Sequence, residues 1–173
     1  MRRTRLLSAT AVTLLSLLMA AFWYRTHHGM KAVAPFELNN PELPRRVLIA
    51  TQGSPFKDAV LAELLTYLSG LPVHIQVRDV SALTTVDEAE WTALVIIHTW
   101  EFWRPQPTAA AFLARAENRE RIVVLATSDD GEKKMAGFDA LTAASDKDDI
   151  ARLGGTLKHR LGAILASKSQ HSP

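Results

Sequence analysis

Three runs in this chain, Val47–Ala50, Ala93–Ile97 and Ile122–Ala126, are apolar at every position. A strand with one wet face alternates polar and apolar side chains; a strand with no polar position has to be covered on both faces. Helical patterns separate the runs. Phe56, Val60, Leu61, Leu64, Leu65 and Leu68 recur near 3.6-residue spacing, behind Ser54 as an N-cap and Pro55 as a first helical residue. Thr108–Asn118 reads as a second helix. Asp146–Ala166 reads as a third, with Ser145 and Asp148 as a capping box and Ile150, Leu153, Leu157, Leu161 and Ile164 along one face. Val73–Val77 alternates like an outer strand, and Phe138–Thr142 adds a short one. The pattern predicts an α/β domain, a small doubly wound parallel sheet of four to five strands. Ligands of such sheets sit beyond the carboxyl ends of the strands, where Thr51–Lys57, His98–Pro105 and Thr127–Gly131 would meet.

The N-terminus has a different composition. Arg2, Arg3 and Arg5 precede Leu6–Tyr24, which carries no charge and spans roughly 28 Å as a helix, about one hydrocarbon core. Phe22, Trp23 and Tyr24 close it like an interfacial belt. Residues 1–25 therefore read as one transmembrane helix preceding the domain, a signal-anchor, or else as a cleaved signal peptide. The leading arginines favour a cytoplasmic N-terminus, so the expected location is the inner membrane, single-pass, with the soluble domain periplasmic. Residues 26–44, with Pro35, Pro41 and Pro44, read as a linker, 45–167 as the domain and 168–173 as a tail.

Composition narrows the chemistry. Cysteine is absent, which excludes thiol catalysis, disulfides and thiolate metal sites. The net charge is +2 and the basic residues form no run of five or six, against a nucleic-acid partner. The six histidines show no metal-ligand spacing, so no metal site is expected. No nucleophile elbow appears, and no acid–base catalytic residue is assigned. Acidic residues are missing after the first strand, where Thr51-Gln52 stands, which rejects a receiver-type domain.

Three segments carry a family resemblance. "VLIATQGSPFK" lies where flavodoxins hold the flavin phosphate, "ALVIIHTWEFWRPQPTAAAFL" resembles their third strand with the aromatic loop beside the ring, and "RIVVLATSDDG" resembles the fourth strand and the closing loop. Residues 45–166 are similar to the flavodoxin-like superfamily. The resemblance implies strand order 2-1-3-4-5, FMN as cofactor and electron transfer with a redox partner. It places the cofactor against Thr51, Gln52, Gly53, Ser54, Lys57, Thr99, Trp100, Phe102, Trp103, Thr127 and Ser128. The chain departs from the family in three places. Lys57 replaces the final hydroxyl of the phosphate loop, Asp129-Asp130 replaces an aromatic, and little chain separates the fourth strand from the next. "DALTAAS", Asp139–Ser145, resembles the motif that flavin transferases modify, which would make Thr142 a covalent attachment site.

Each feature also has a plainer reading. Ser54-Pro55 starts a helix without any ligand, and Thr142 and Ser145 suit local capping. "TWEFW", Thr99–Trp103, serves equally as a patch for an envelope protein partner in a flavin-free module.

Overall fold

The computed structural model describes residues 13–20, 30–101, 103–133 and 137–167. The chain forms two compact units, Met1–Lys31 and Ala32–Pro173. In the first, residues 13–20 are helical, with Leu14, Leu15, Leu17, Leu18 and Met19 exposed. Among the described residues no helix is long and apolar enough to cross a membrane. The expected fold with a transmembrane helix in front is corrected on this point; the rest of that segment, 6–12 and 21–24, lies outside the described residues.

The second unit is built on seven strands: β1 (Phe36–Leu38), β2 (Arg46–Thr51), β3 (His74–Asp79), β4 (Ala93–Glu101), β5 (Arg104–Pro105), β6 (Ile122–Thr127) and β7 (Leu141–Ala143). Three helices accompany them: α1 (Pro55–Ser69), α2 (Pro107–Arg115) and α3 (Ile150–Ser167). Across the sheet the order is β1-β3-β2-β4-β6-β7, with β5 paired to β4. The pairs β3–β2, β2–β4, β4–β6 and β6–β7 are parallel. β1 runs antiparallel to β3, and β5 folds back on β4. The sheet is therefore mixed and seven-stranded, which corrects the expected parallel sheet of four to five strands. The additions are short for a physical reason. Three residues hemmed by Pro35 and Pro41, and two residues in a hairpin, are too brief to display a period of two.

Alternation along the parallel strands divides the core into two layers. Val47 and Ile49, Val95 and Ile97, and Val123 and Leu125 point to the side where α1 and α3 pack; Leu48, Ala50, Leu94, Ile96 and Val124 point to the side of α2. On the α2 side a 3₁₀ turn, Val80–Thr84, supplies Val80 and Leu83 in place of a full helix. Leu64, Leu68, Leu153, Leu157 and Leu161 are fully buried between α1, α3 and the sheet. Each contributes about 2 kcal/mol by leaving water.

α1 begins as its residues dictate. Extended Ser54 accepts from the Lys57 amide at 3.3 Å, and Pro55 opens the helix. α3 begins later than its pattern predicts. Ser145 adopts φ 62°, and Asp146 instead caps a 3₁₀ turn, Lys147–Asp149, ahead of Ile150. The expected Ser145 cap fails because a left-handed residue cannot present its side chain to the following amides from the extended N-cap conformation.

Candidate functional site

Thr51 closes β2, Thr127 closes β6, and Thr99 stands two residues before the end of β4; on the α1 side of the sheet they continue the faces of Ile49, Leu125 and Ile97. Thr99 lies opposite Thr127 in register, and their hydroxyls are 2.9 Å apart. The first turn of α1 rises beside them and sends Lys57 inward. Lys57 is 1% exposed, among the largest fully buried side chains of the unit. Its ammonium donates to the Thr99 hydroxyl.

Burial works against that ammonium. Desolvation lowers the Lys57 pKa to about 8, with the Glu101 and Asp58 charges pulling the other way. Gln52 completes the network. Its side-chain Oε1 accepts from the Thr99 backbone amide at 2.8 Å and its Nε2 donates to Glu101 Oε1 at 3.2 Å. The Thr51 hydroxyl donates to the Gln52 backbone carbonyl at 3.2 Å, and Gly53 is buried beside them.

His98, one residue before Thr99, faces the α2 side and is fully buried. Its Nδ1 lies 3.3 Å from the Thr99 carbonyl oxygen, so this nitrogen carries the proton. Nε2 has no hydrogen-bond partner. Burial depresses the His98 pKa to about 4; the Thr99 carbonyl opposes this and the Lys57 charge adds to it.

The aromatic loop is a hairpin. Trp100 pairs with Pro105 and Glu101 with Arg104. Trp100 is half-buried, with Nε1 enclosed and unpartnered. Phe102 lies outside the described residues. Trp103, at φ 65°, sits at the turn, 79% exposed, with Lys133 Nζ 4.7 Å from its ring centroid. After β6 the chain stays close to β7, where the Ser128 amide donates to the Ala143 carbonyl at 3.0 Å. The Ser128 hydroxyl is 2.8 Å from Asp130 Oδ1, and Lys133 lies 3.0 Å from Asp130 Oδ2. Hydrogen bonds from the Glu132 amide, Lys133 and Ser128 hold the Asp130 pKa down at about 2.

Thus the expected residues divide into groups. Thr51, Gln52, Lys57, Thr99 and Thr127 form one connected polar cluster. Ser54 is spent as a cap, Trp103 stands outside on the surface, and Ser128 belongs to its own turn. Thr142 lies within β7, opposite Ala126, and is half-buried there. Among the described residues no group of acidic or histidine side chains is arranged to hold a metal ion.

Glu101 and Lys133 were not singled out from the sequence. Glu101 was visible only as the polar member of "TWEFW", and Lys133 gave no signal, because its contact with Trp103 crosses between two loops.

An FMN phosphate needs free donors at the α1 loop. In this arrangement the Gln52 amide donates to the Ile97 carbonyl, the Lys57 amide to Ser54 Oγ and the Asp58 amide to the Ser54 carbonyl. The Lys57 side chain fills the niche itself, and Lys133 covers one face of Trp103. As arranged, a flavin phosphate at this loop would have to displace the Lys57 side chain from Thr99. No protein-family model matches the chain, and no curated protein matches it.

Proposed function

We propose that this domain is a flavin-free binding module that docks a protein partner through the β4–β5 hairpin. The observation that carries the reading is Trp103, 79% exposed at the hairpin turn. An exposed tryptophan on a short, paired ribbon is a preorganised anchor: it loses little entropy on binding and gains the large area that makes tryptophan prominent in interface hot spots. Arg104, Glu101 and Lys133 around it supply a charged rim. The strand ends behind it are internally bonded, which suits a scaffold for the hairpin. The N-terminal arginines and uncharged stretch support a partner in the cell envelope; a reporter fused to the C-terminus tests that location.

The docking test uses a photo-reactive residue at Arg104 in producing cells. A discrete crosslinked adduct that disappears with Trp103→Ala, and is absent with the probe at Arg152 on α3, supports the module. Adducts indifferent to Trp103 refute it.

A second reading, FMN-dependent electron transfer, rests on the convergence of the Thr99 and Thr127 hydroxyls with the Lys57 amine at the α1 N-terminus. Bound flavin would supply the redox chemistry, and these side chains would only hold it. Titration of the purified domain with FMN decides between the two. Saturable quenching of flavin fluorescence favours electron transfer, and unchanged fluorescence favours the module. Flavin retained after denaturation, and lost in Thr142→Ala, would place a covalent link at that residue.

A further inference from the structure

The docking surface leaves Lys57 without a use. A lysine folded inward to 1% exposure gives up hydration that a solvent-facing rotamer would keep. What it meets is a hydroxyl: Nζ is hydrogen-bonded to Thr99 Oγ1. Thr99 is half-buried, while Lys57 and Thr127 lie deeper in the fold. An amine buried behind a partly exposed hydroxyl is the arrangement of a general base behind a nucleophile.

The groups around the pair meet the requirements of that chemistry. The base must be neutral in part of the population. Burial lowers the Lys57 pKa to about 8, which leaves roughly a tenth of it neutral at pH 7. The nucleophile must be able to give its proton to that base. The Thr99 and Thr127 hydroxyls are 2.9 Å apart and either can donate. Thr127 can therefore donate to Thr99 Oγ1 while Thr99 donates to a neutral Nζ. The ammonium formed by proton transfer must be stabilised. Glu101 stands two residues beyond Thr99 on the same face of β4, and its charge favours that ammonium. Gln52 braces both residues. Its Oε1 accepts from the Thr99 backbone amide at 2.8 Å, and its Nε2 donates to Glu101 Oε1 at 3.2 Å. Two further groups act on the amine. Asp58, on the same turn of α1, favours its charge, and His98, on the opposite face of β4, is neutral above about pH 4. The positive end of α1 lies beside the pair and favours negative charge developing on a carbonyl oxygen there.

From this geometry we infer that Thr99 is the nucleophile of an acyl-transfer site, with Lys57 as its general base and a small ester or thioester as the acyl donor. Thr99 Oγ1 passes its proton to Lys57 Nζ and bonds to the acyl carbon. The bond from that carbon to the leaving oxygen or sulfur breaks, and the leaving group takes the proton back from Lys57. The products are acyl-Thr99 and a free alcohol or thiol. A half-buried secondary hydroxyl accepts only an unhindered acyl group, which limits the donor's size. Trp103 is no part of this cluster, so the site stands or falls apart from the docking surface.

The test uses the full-length chain, p-nitrophenyl acetate as donor, and mass spectrometry of the denatured protein and its peptides. An acetyl group is expected on Thr99, as an ester that hydroxylamine removes. Its rate of formation should rise with pH to a midpoint near 8 and level off above it. Lys57→Met, with an unchanged circular dichroism spectrum, should slow the reaction at least a hundredfold. Thr99→Ala should abolish it, and Thr99→Ser should keep the adduct at residue 99. Glu101→Gln should move the midpoint below 8, because the carboxylate no longer stabilises the ammonium. No ester at residue 99, an equal rate in Lys57→Met, a hydroxylamine-stable acetyl on Lys57 in place of Thr99, or a midpoint near 10.5 would each overturn the assignment.

Discussion

Replacing Lys57 with methionine removes a charge that the fold holds at a cost. Methionine keeps most of the apolar stem and leaves the Thr99 and Thr127 hydroxyls bonded to each other. The cost follows from the pKa, about 8 in place of the ordinary 10.5. At about 1.4 kcal/mol for each tenfold, the gap amounts to about 3 kcal/mol. The folded chain releases the Lys57 proton at lower pH than the unfolded chain does. Between pH 8 and 10.5 the unfolded state thus binds more protons, and stability rises with pH through that window. Below pH 8 the full penalty applies. Lys57→Met should therefore stabilise the domain at pH 7 by about 2–3 kcal/mol, raising the urea midpoint by about 1–2 M. The gain should shrink as pH passes from 8 to 10.5, where the wild-type lysine becomes neutral in both states. Urea unfolding of both proteins at several pH values, followed by far-ultraviolet circular dichroism, gives the comparison. Parallel stability–pH curves, or a methionine variant less stable than wild type at pH 7, would refute the reasoning. A buried charge kept at such a cost is also what a functional niche looks like, since single local rules are broken most often at sites.

His98→Leu should flatten the acid limb of stability. The buried imidazole stays neutral down to about pH 4 while the unfolded one binds its proton near 6.5, so wild type loses about 3 kcal/mol as pH falls through that window and the variant keeps it; acid titration followed by tryptophan fluorescence reads the difference. Gly131→Ala should cost about 2 kcal/mol or more in thermal unfolding. Its φ is +70°, and an added Cβ would stand 2.7 Å from the Ala144 backbone nitrogen. Ser54→Ala removes the α1 cap and should cost about 1 kcal/mol. Trp103→Ala should leave the unfolding midpoint within about 0.5 kcal/mol of wild type, because the ring is exposed; a larger loss would mean that the hairpin needs the ring for its own stability.

The polar cluster shows how far sequence reasoning reaches at a site. Thr51, Thr99 and Thr127 were expected in the loops beyond three apolar strands; the structure keeps each within its strand, where alternation puts all three on one face. Lys57 was placed on the first helical turn by Ser54 and Pro55, either toward a phosphate or in solvent, and burial inside the fold was not foreseen. The strand ends decided it, since the hydroxyl that receives the ammonium is Thr99 of β4, itself bonded to Thr127 of β6, dozens of residues along the chain. "TWEFW" showed aromatic content without showing which ring would be covered. Hairpin pairing half-buries Trp100 and turns Trp103 outward.

By itself the sequence determined the layered α/β character. Runs without a polar position demand cover on both faces, and amphipathic segments at helical spacing are the only elements here able to provide it. That information is periodic and local, so it survives without neighbours. Tertiary structure alone decided the antiparallel β1 edge, the inward turn of Lys57 and the left-handed backbone at Ser145 and Trp103. An edge pairs according to what lies beside it, a long side chain goes where its charge finds partners, and an uncommon backbone conformation persists only where the surrounding fold holds it.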